Sequence, residues 1–199
     1  MKNREKLLAA AAFLIAIANA FSSELSGLIG LEQVRLTRHT VFVRKEVTNA
    51  GGQIRIIDEN TKKVDGVSSI SETKLPKNQA QIFDKIAIGF GEADAQGEEG
   101  SVDYTASKAP AIARNASIVI TQNGREVLDL PLADVVKAIS PGSPEDYYHD
   151  LEGFNYLVDD QPMEWYLRLP NGKVLAPSAA GKFIYMEVRL QGFKTSRKA

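Results

Sequence analysis

The run Phe183-Ile184-Tyr185-Met186-Glu187-Val188-Arg189-Leu190-Gln191 constrains this chain more than any other stretch. Ile184, Met186, Val188 and Leu190 alternate with Tyr185, Glu187, Arg189 and Gln191. A helix would scatter these apolar groups around its circumference, whereas a strand gathers them on one face. Such a strand has to bury that face against a second layer.

The same period recurs along the chain after Gly30. Val41, Val43 and Val47 oppose Arg44, Glu46 and Thr48, and Ile54 and Ile56 follow the turn residues Asn49-Ala50-Gly51-Gly52. Ile82, Ile86, Ile88 and Phe90 are expected on one side of QIFDKIAIGF. Ile118 and Ile120 lead into Asn123-Gly124 and out along REVLDL, the Asn-Gly pair supplying the positive φ angles of a tight hairpin turn. Met163, Trp165, Leu167 and Leu169 share a face before Asn171-Gly172. Helix is sparse, with PLADVVKAI the best candidate, opened by Pro131 and ended by Ser140-Pro141-Gly142. The stretch from Ser140 to Gln161 reads as a long, turn-rich connection. Roughly eight strands with few helices predict an all-β chain, an antiparallel two-sheet sandwich or a barrel, with long crossing loops favouring a jelly-roll or Greek-key path over a simple up-and-down barrel; an antiparallel sandwich of jelly-roll type is the expected fold. Immunoglobulin-like topology is the rival.

The N-terminus, MKNREKLLAAAAFLIAIANAFSSELSGLIG, breaks this pattern. Lys2, Arg4 and Lys6, an apolar run from Leu7 to Ile17 and the triplet Ala18-Asn19-Ala20 are the parts of a secretory signal cleaved before Phe21. Against that, Glu5 dilutes the basic segment and the helical pattern continues through Leu25, Leu28 and Ile29. A retained helix would need covering, because Leu7 to Ala18 is apolar on every side. At about 1.5 Å per residue the apolar run reaches less than about 20 Å, short of the roughly 30 Å bilayer core. Three solutions stay open: lying on a membrane, packing between subunits, or folding back on its own domain. Leu7, Leu14, Phe21 and Leu28 recur at seven-residue spacing, with Ile17, Ala18 and Leu25 between them, which suits a helix-to-helix seam. The expected organisation is therefore an arm over residues 1–30 and one sandwich domain over 31–199, the arm retained and dispensable for folding of the body.

Composition excludes several function classes. The 199 residues are 44% hydrophobic and 25% charged, an ordinary globular balance, and the net charge of −1 gives no field for sequence-specific nucleic-acid binding. Absence of cysteine removes disulfides, thiolate metal sites and thiol nucleophiles. His39 and His149 are the only histidines, too few for a multi-histidine zinc site, and His149 lies among carboxylates with no nucleophile motif beside it. Glu92, Asp94, Glu98, Glu99 and Asp103 carry calcium-type oxygen ligands but not EF-hand spacing, so a solvated acidic loop is expected. Trp165, Tyr147, Tyr148, Tyr156 and Tyr166 have the chemistry of a sugar-stacking platform, although Trp165 alternates with Leu167 as a core residue would. The expectation is a non-enzymatic protein without metal or cofactor.

Together the apolar N-terminal helix, the β-rich body and the closing run FIYMEVRLQGFKT resemble the jelly-roll capsid proteins of tailless icosahedral phages, including those that enclose a membrane. IFDKIAIGFG, IVITQNGREVLDLPLADV and MEWYLRLPNGKVL are similar in cadence to strands and hairpins of such virion proteins, and the likeness covers most of residues 41 to 193. Many of those proteins fuse two jelly rolls, whereas 199 residues hold one, which fits a single-roll shell, vertex or minor component. The resemblance implies a structural virion protein whose partners are itself, other virion proteins and an inner membrane. Its assembly or membrane contacts would come from Leu7, Leu8, Phe13, Leu14, Ile17, Phe21, Leu25 and Leu28. The alternative is a secreted or periplasmic sandwich binding a carbohydrate or protein, with residues 1–20 as its cleaved signal.

Overall fold

A computed structural model describes residues 2–136 and 144–198. Eight strands, β1 (Val34–Glu46), β2 (Gln53–Arg55), β3 (Gln81–Ala93), β4 (Ser117–Gln122), β5 (Arg125–Pro131), β6 (His149–Leu157), β7 (Met163–Arg168) and β8 (Phe183–Arg197), form two four-stranded sheets. One has the order β1-β8-β3-β6, the other β2-β7-β4-β5, and every pairing within them is antiparallel. The result is sandwich-like, with few and short helices in the body.

The alternation read in β8 is what joins the layers. Ile184, Met186, Val188 and Leu190 are buried with Val41, Val43, Ile86 and Ile88 of the first sheet and Ile118, Ile120, Trp165 and Leu167 of the second. Trp165 fills the middle of this inter-sheet core with no exposed surface. Asn123 and Gly124 adopt φ of 48° and 74°, making the expected turn between β4 and β5.

Three sequence expectations need correction. Ile82 does not share a face with Ile86, Ile88 and Phe90: the register shifts between Phe83 and Lys85, so Phe83 joins the inter-sheet core and Ile82 points out of the sandwich. One extra residue in a strand reverses every side chain before it, which a strict period of two does not register. The connection from Ser140 to Gln161 contains β6, an edge strand paired only with β3, whose mostly half-exposed side chains gave no alternation to read. The PLADVVKAI helix is a single turn, Leu132–Val135, after which Val136 is extended, and the last part of the expected helix, residues 137–139, lies outside the described residues.

The arm comprises α1 (Lys2–Ala16), a 3-10 turn (Ala18–Ala20) and α2 (Ser23–Gly30). It is not one continuous helix: Ser22 caps α2, its Oγ accepting from the Leu25 N–H at 3.3 Å, and redirects the chain. The arm folds back onto the outer face of the β1-β8-β3-β6 sheet. There Leu14, Phe21, Leu25 and Ile29 form a second buried cluster with Ala80, Ile82 and Val158, flanked by Val34, Leu36, Phe154 and Tyr156. Of the three solutions left open by the sequence, folding back is the one this chain adopts.

Candidate functional site

The contact residues expected in the arm are divided by the way it packs. Leu14, Phe21 and Leu25 are buried in the second cluster. Phe13 and Ile17 are half-buried at its border, Phe13 stacking 5.5 Å from Phe154, and Leu28 is half-buried beyond it. Leu7 and Leu8 remain exposed, and so does Ile15, at 61% for Leu8 and 66% for Ile15. Leu8, Ala12 and Ile15 follow helical spacing, so α1 turns one apolar stripe down onto its own sheet and a second one outward. The seven-residue seam of Leu7, Leu14, Phe21 and Leu28 is not a single stripe, because the break at Ser22 resets the helical phase.

Polar contacts hold the arm in place. Asp159 is 1% exposed and accepts from the Ser22 N–H at 3.2 Å, the Ser22 hydroxyl at 2.6 Å and the Asn78 N–H at 3.0 Å. A carboxylate buried so deeply is tolerated because several donors replace its water. Lys77 pairs with Glu24 at 3.2 Å and helps hold the Glu24 carboxyl below its usual range. Near the N-terminal end of α1, Lys6 pairs with Asp84.

Beyond the arm the same outer sheet face stays open. The segment Val102–Thr105 crosses it further along, bonded to Phe90 through Thr105, and the crossing depends on glycine: a Cβ on Gly91 would sit 2.3 Å from Val102 Cγ1 and 2.7 Å from the Asp103 carbonyl. Between arm and crossing segment runs a trench of about 1060 Å³, walled by Lys6 and Leu7 at one side, by Val102, Asp103 and Tyr104 at the other, and by Tyr147 and Tyr148 beside β6. Ala87, Gly89, Glu187, Arg189 and Gln191 line its floor.

The electrostatics of the trench are ordered by Glu187, which is 6% exposed. Its two oxygens meet Arg44 Nε at 2.7 Å and Arg189 Nε at 2.9 Å. The Arg44 guanidinium also lies 4.8 Å from the centre of the Tyr104 ring and donates to the Gly66 carbonyl. Burial pushes the Tyr104 and Tyr185 hydroxyls above their ordinary range, so both act as neutral donors, Tyr104 to the Glu99 carbonyl and Tyr185 to that of Ala95. Arg38 is exposed and donates to Gln191 at 3.2 Å, and Lys85 is half-buried; neither has a carboxylate partner among the described residues.

The other sequence candidates do not converge. The carboxylates of the acidic segment go to separate partners, Glu92 to Ser178, Asp94 to Lys182, Glu98 to Ser101 and Asp103 to Lys108. Among the described residues no three His, Asp or Glu side chains are grouped as metal ligands. His149 pairs with Ile86 across β6 and β3, and His39 lies on β1. Trp165 is in the core, which separates it from Tyr147 and Tyr148 at the trench. Sequence reading missed the trench because its floor comes from β1, β3 and β8, which are far apart in the chain; the one local signal was the charged half of the β8 alternation. Among the described residues no helix is long and apolar enough to cross a membrane. Neither family models nor curated proteins gave a match to the chain.

Proposed function

We propose that this chain is a jelly-roll structural protein of an icosahedral virion, assembling with copies of itself and with other virion proteins. Pairing order supports the jelly-roll part of the reading: β1 with β8, β2 with β7, β3 with β6 and β4 with β5 are all antiparallel neighbours. One long hairpin ribbon rolled up so that β3 also meets β8 and β4 also meets β7 generates that set. Because fold alone does not carry function, the assembly role rests on one observation. Helix α1 already covers its own sheet and still presents Leu8 and Ile15 to solvent on its other side. An outward stripe of this kind is suited to a neighbouring subunit or a lipid surface. Leu7, beside the trench, extends it.

The test is particle formation by the full-length protein. Large, uniform assemblies are expected by light scattering and electron microscopy, and Leu8→Glu with Ile15→Glu should abolish them while leaving the circular dichroism and melting temperature unchanged. A monomer at all concentrations, or assemblies indifferent to the double substitution, would sink the proposal. The alternative of a secreted binding module draws on the trench. Its signal-cleavage component is weakened by Ala10 and Leu14, which are both buried, Leu14 within the domain's own second cluster.

A further inference from the structure

The geometry of the trench points to a binding site for an acidic oligosaccharide, one bearing a carboxylate such as a uronic or sialic acid, and this goes beyond the assembly role. The volume of about 1060 Å³ lies at the upper end of ligand pockets and suits several sugar rings. Its lining decides the chemistry. Each sugar hydroxyl both donates and accepts, so a saccharide needs donors and acceptors held at fixed positions. The floor offers both: guanidinium donors on Arg44 and Arg189, with the Glu187 carboxylate and Gln191 as acceptors. A bare anion such as phosphate would use mainly the donors, and an acidic peptide brings donors of its own only on its backbone amides.

The Arg44–Glu187–Arg189 arrangement is fixed before any ligand arrives, which lowers the ordering cost of binding. Arg38 and Lys85 supply the unmatched positive charge that selects a carboxylate. Tyr147, which is exposed, and Tyr148, which is half-buried, stand at the edge, where an aromatic ring can lie against a sugar ring. Ala87 keeps the floor low, and Gly89 lets Tyr104 of the crossing segment lie close against the sheet.

The experiment is titration of the full-length protein, by calorimetry and by ligand-observed NMR, with a panel of sialylated and uronate-bearing oligosaccharides, their neutral counterparts, inorganic phosphate and a polyglutamate peptide. At least one acidic saccharide should bind, its neutral counterpart at least tenfold more weakly. Arg38→Gln combined with Lys85→Gln should weaken the acidic ligand at least tenfold, while Lys173→Gln, an exposed cation elsewhere, should leave it unchanged. If the double variant melts early, amide shifts of Ala87, Gly89 and Gln191 in the unmodified protein on adding the saccharide take its place as the readout. The inference is overturned if no saccharide binds at millimolar concentration, if neutral sugars bind equally well, if phosphate or polyglutamate competes as strongly, or if the shifts map elsewhere.

Discussion

The two apolar clusters of this molecule lie on opposite faces of one sheet and are built by different rules. Between the sheets, strands supply apolar residues at every second position from both layers, and the cluster is continuous from Val41 to Trp165. Beneath the arm, a helix and a capped turn meet only the part of the sheet's outer face where Ile82, Leu36 and Tyr156 replace polar residues. The first cluster is intrinsic to the sandwich. The second exists only while the arm is docked, and it depends on one buried carboxylate, Asp159, to hold the docked position.

Substitutions at neighbouring positions in β3 test that distinction most severely. Phe83 and Ile82 are consecutive but belong to different clusters. Phe83→Ala should cost about 3–5 kcal/mol of global stability, as expected for truncating a buried aromatic side chain. Urea unfolding that shows a larger loss for Ile82→Ala than for Phe83→Ala would contradict the bulge at Asp84.

A smaller and more local effect is expected from Leu25→Ala in the arm, about 2–3 kcal/mol by the same transfer and cavity arguments. Here the location of the loss matters more than its size. Native-state hydrogen exchange should show residues 23–30 losing protection while β8 retains it, since the inter-sheet cluster does not include the arm. Uniform loss across both would mean that arm and sandwich unfold as one unit.

Asp159→Ala should follow, at about 1–3 kcal/mol, because it leaves the Ser22 and Asn78 donors without their shared acceptor. Its signature would again be early loss of protection in α2.

How much of this was legible in the sequence follows from the same contrast. β8, the β4–β5 hairpin and the β7 face could be read because each is a local alternation bounded by turn residues. Asn-Gly at 123–124 needs no distant partner to declare itself. The outer face could not be read this way. Val34, Leu36, Ile82 and Tyr156 come from three strands, and what makes them a docking surface is their adjacency across the sheet. The bulge in β3 also hid the fact that Ile82 faces them. The arm's apolarity was plain from Leu7 to Ile17, but an all-round apolar helix does not state which side is covered. That is why Leu14 and Leu8, both named as contact residues, end on opposite sides of α1.

The smallest expected effect concerns His39, midway along β1 and opposite Gly192 of β8. His39 is half-buried, and its pKa is lowered first by desolvation and then by the charges of Lys194 and Lys63. A lowered histidine pKa means that, between the folded value and the unfolded value of about 6.5, the unfolded chain is protonated while the folded one is not. The unfolded state then binds more protons, so stability rises with pH through that window, is complete above it, and is lost as the pH falls through it. Urea midpoints measured from pH 7 down to pH 5 should therefore decline in the unmodified protein, with a shallower decline in His39→Gln. Carboxylates such as Asp58, whose pKa is lowered by Lys45, act at more acidic pH and leave this window to the histidine. If His39→Gln reproduced the original slope, desolvation of His39 would not be the source of the pH dependence.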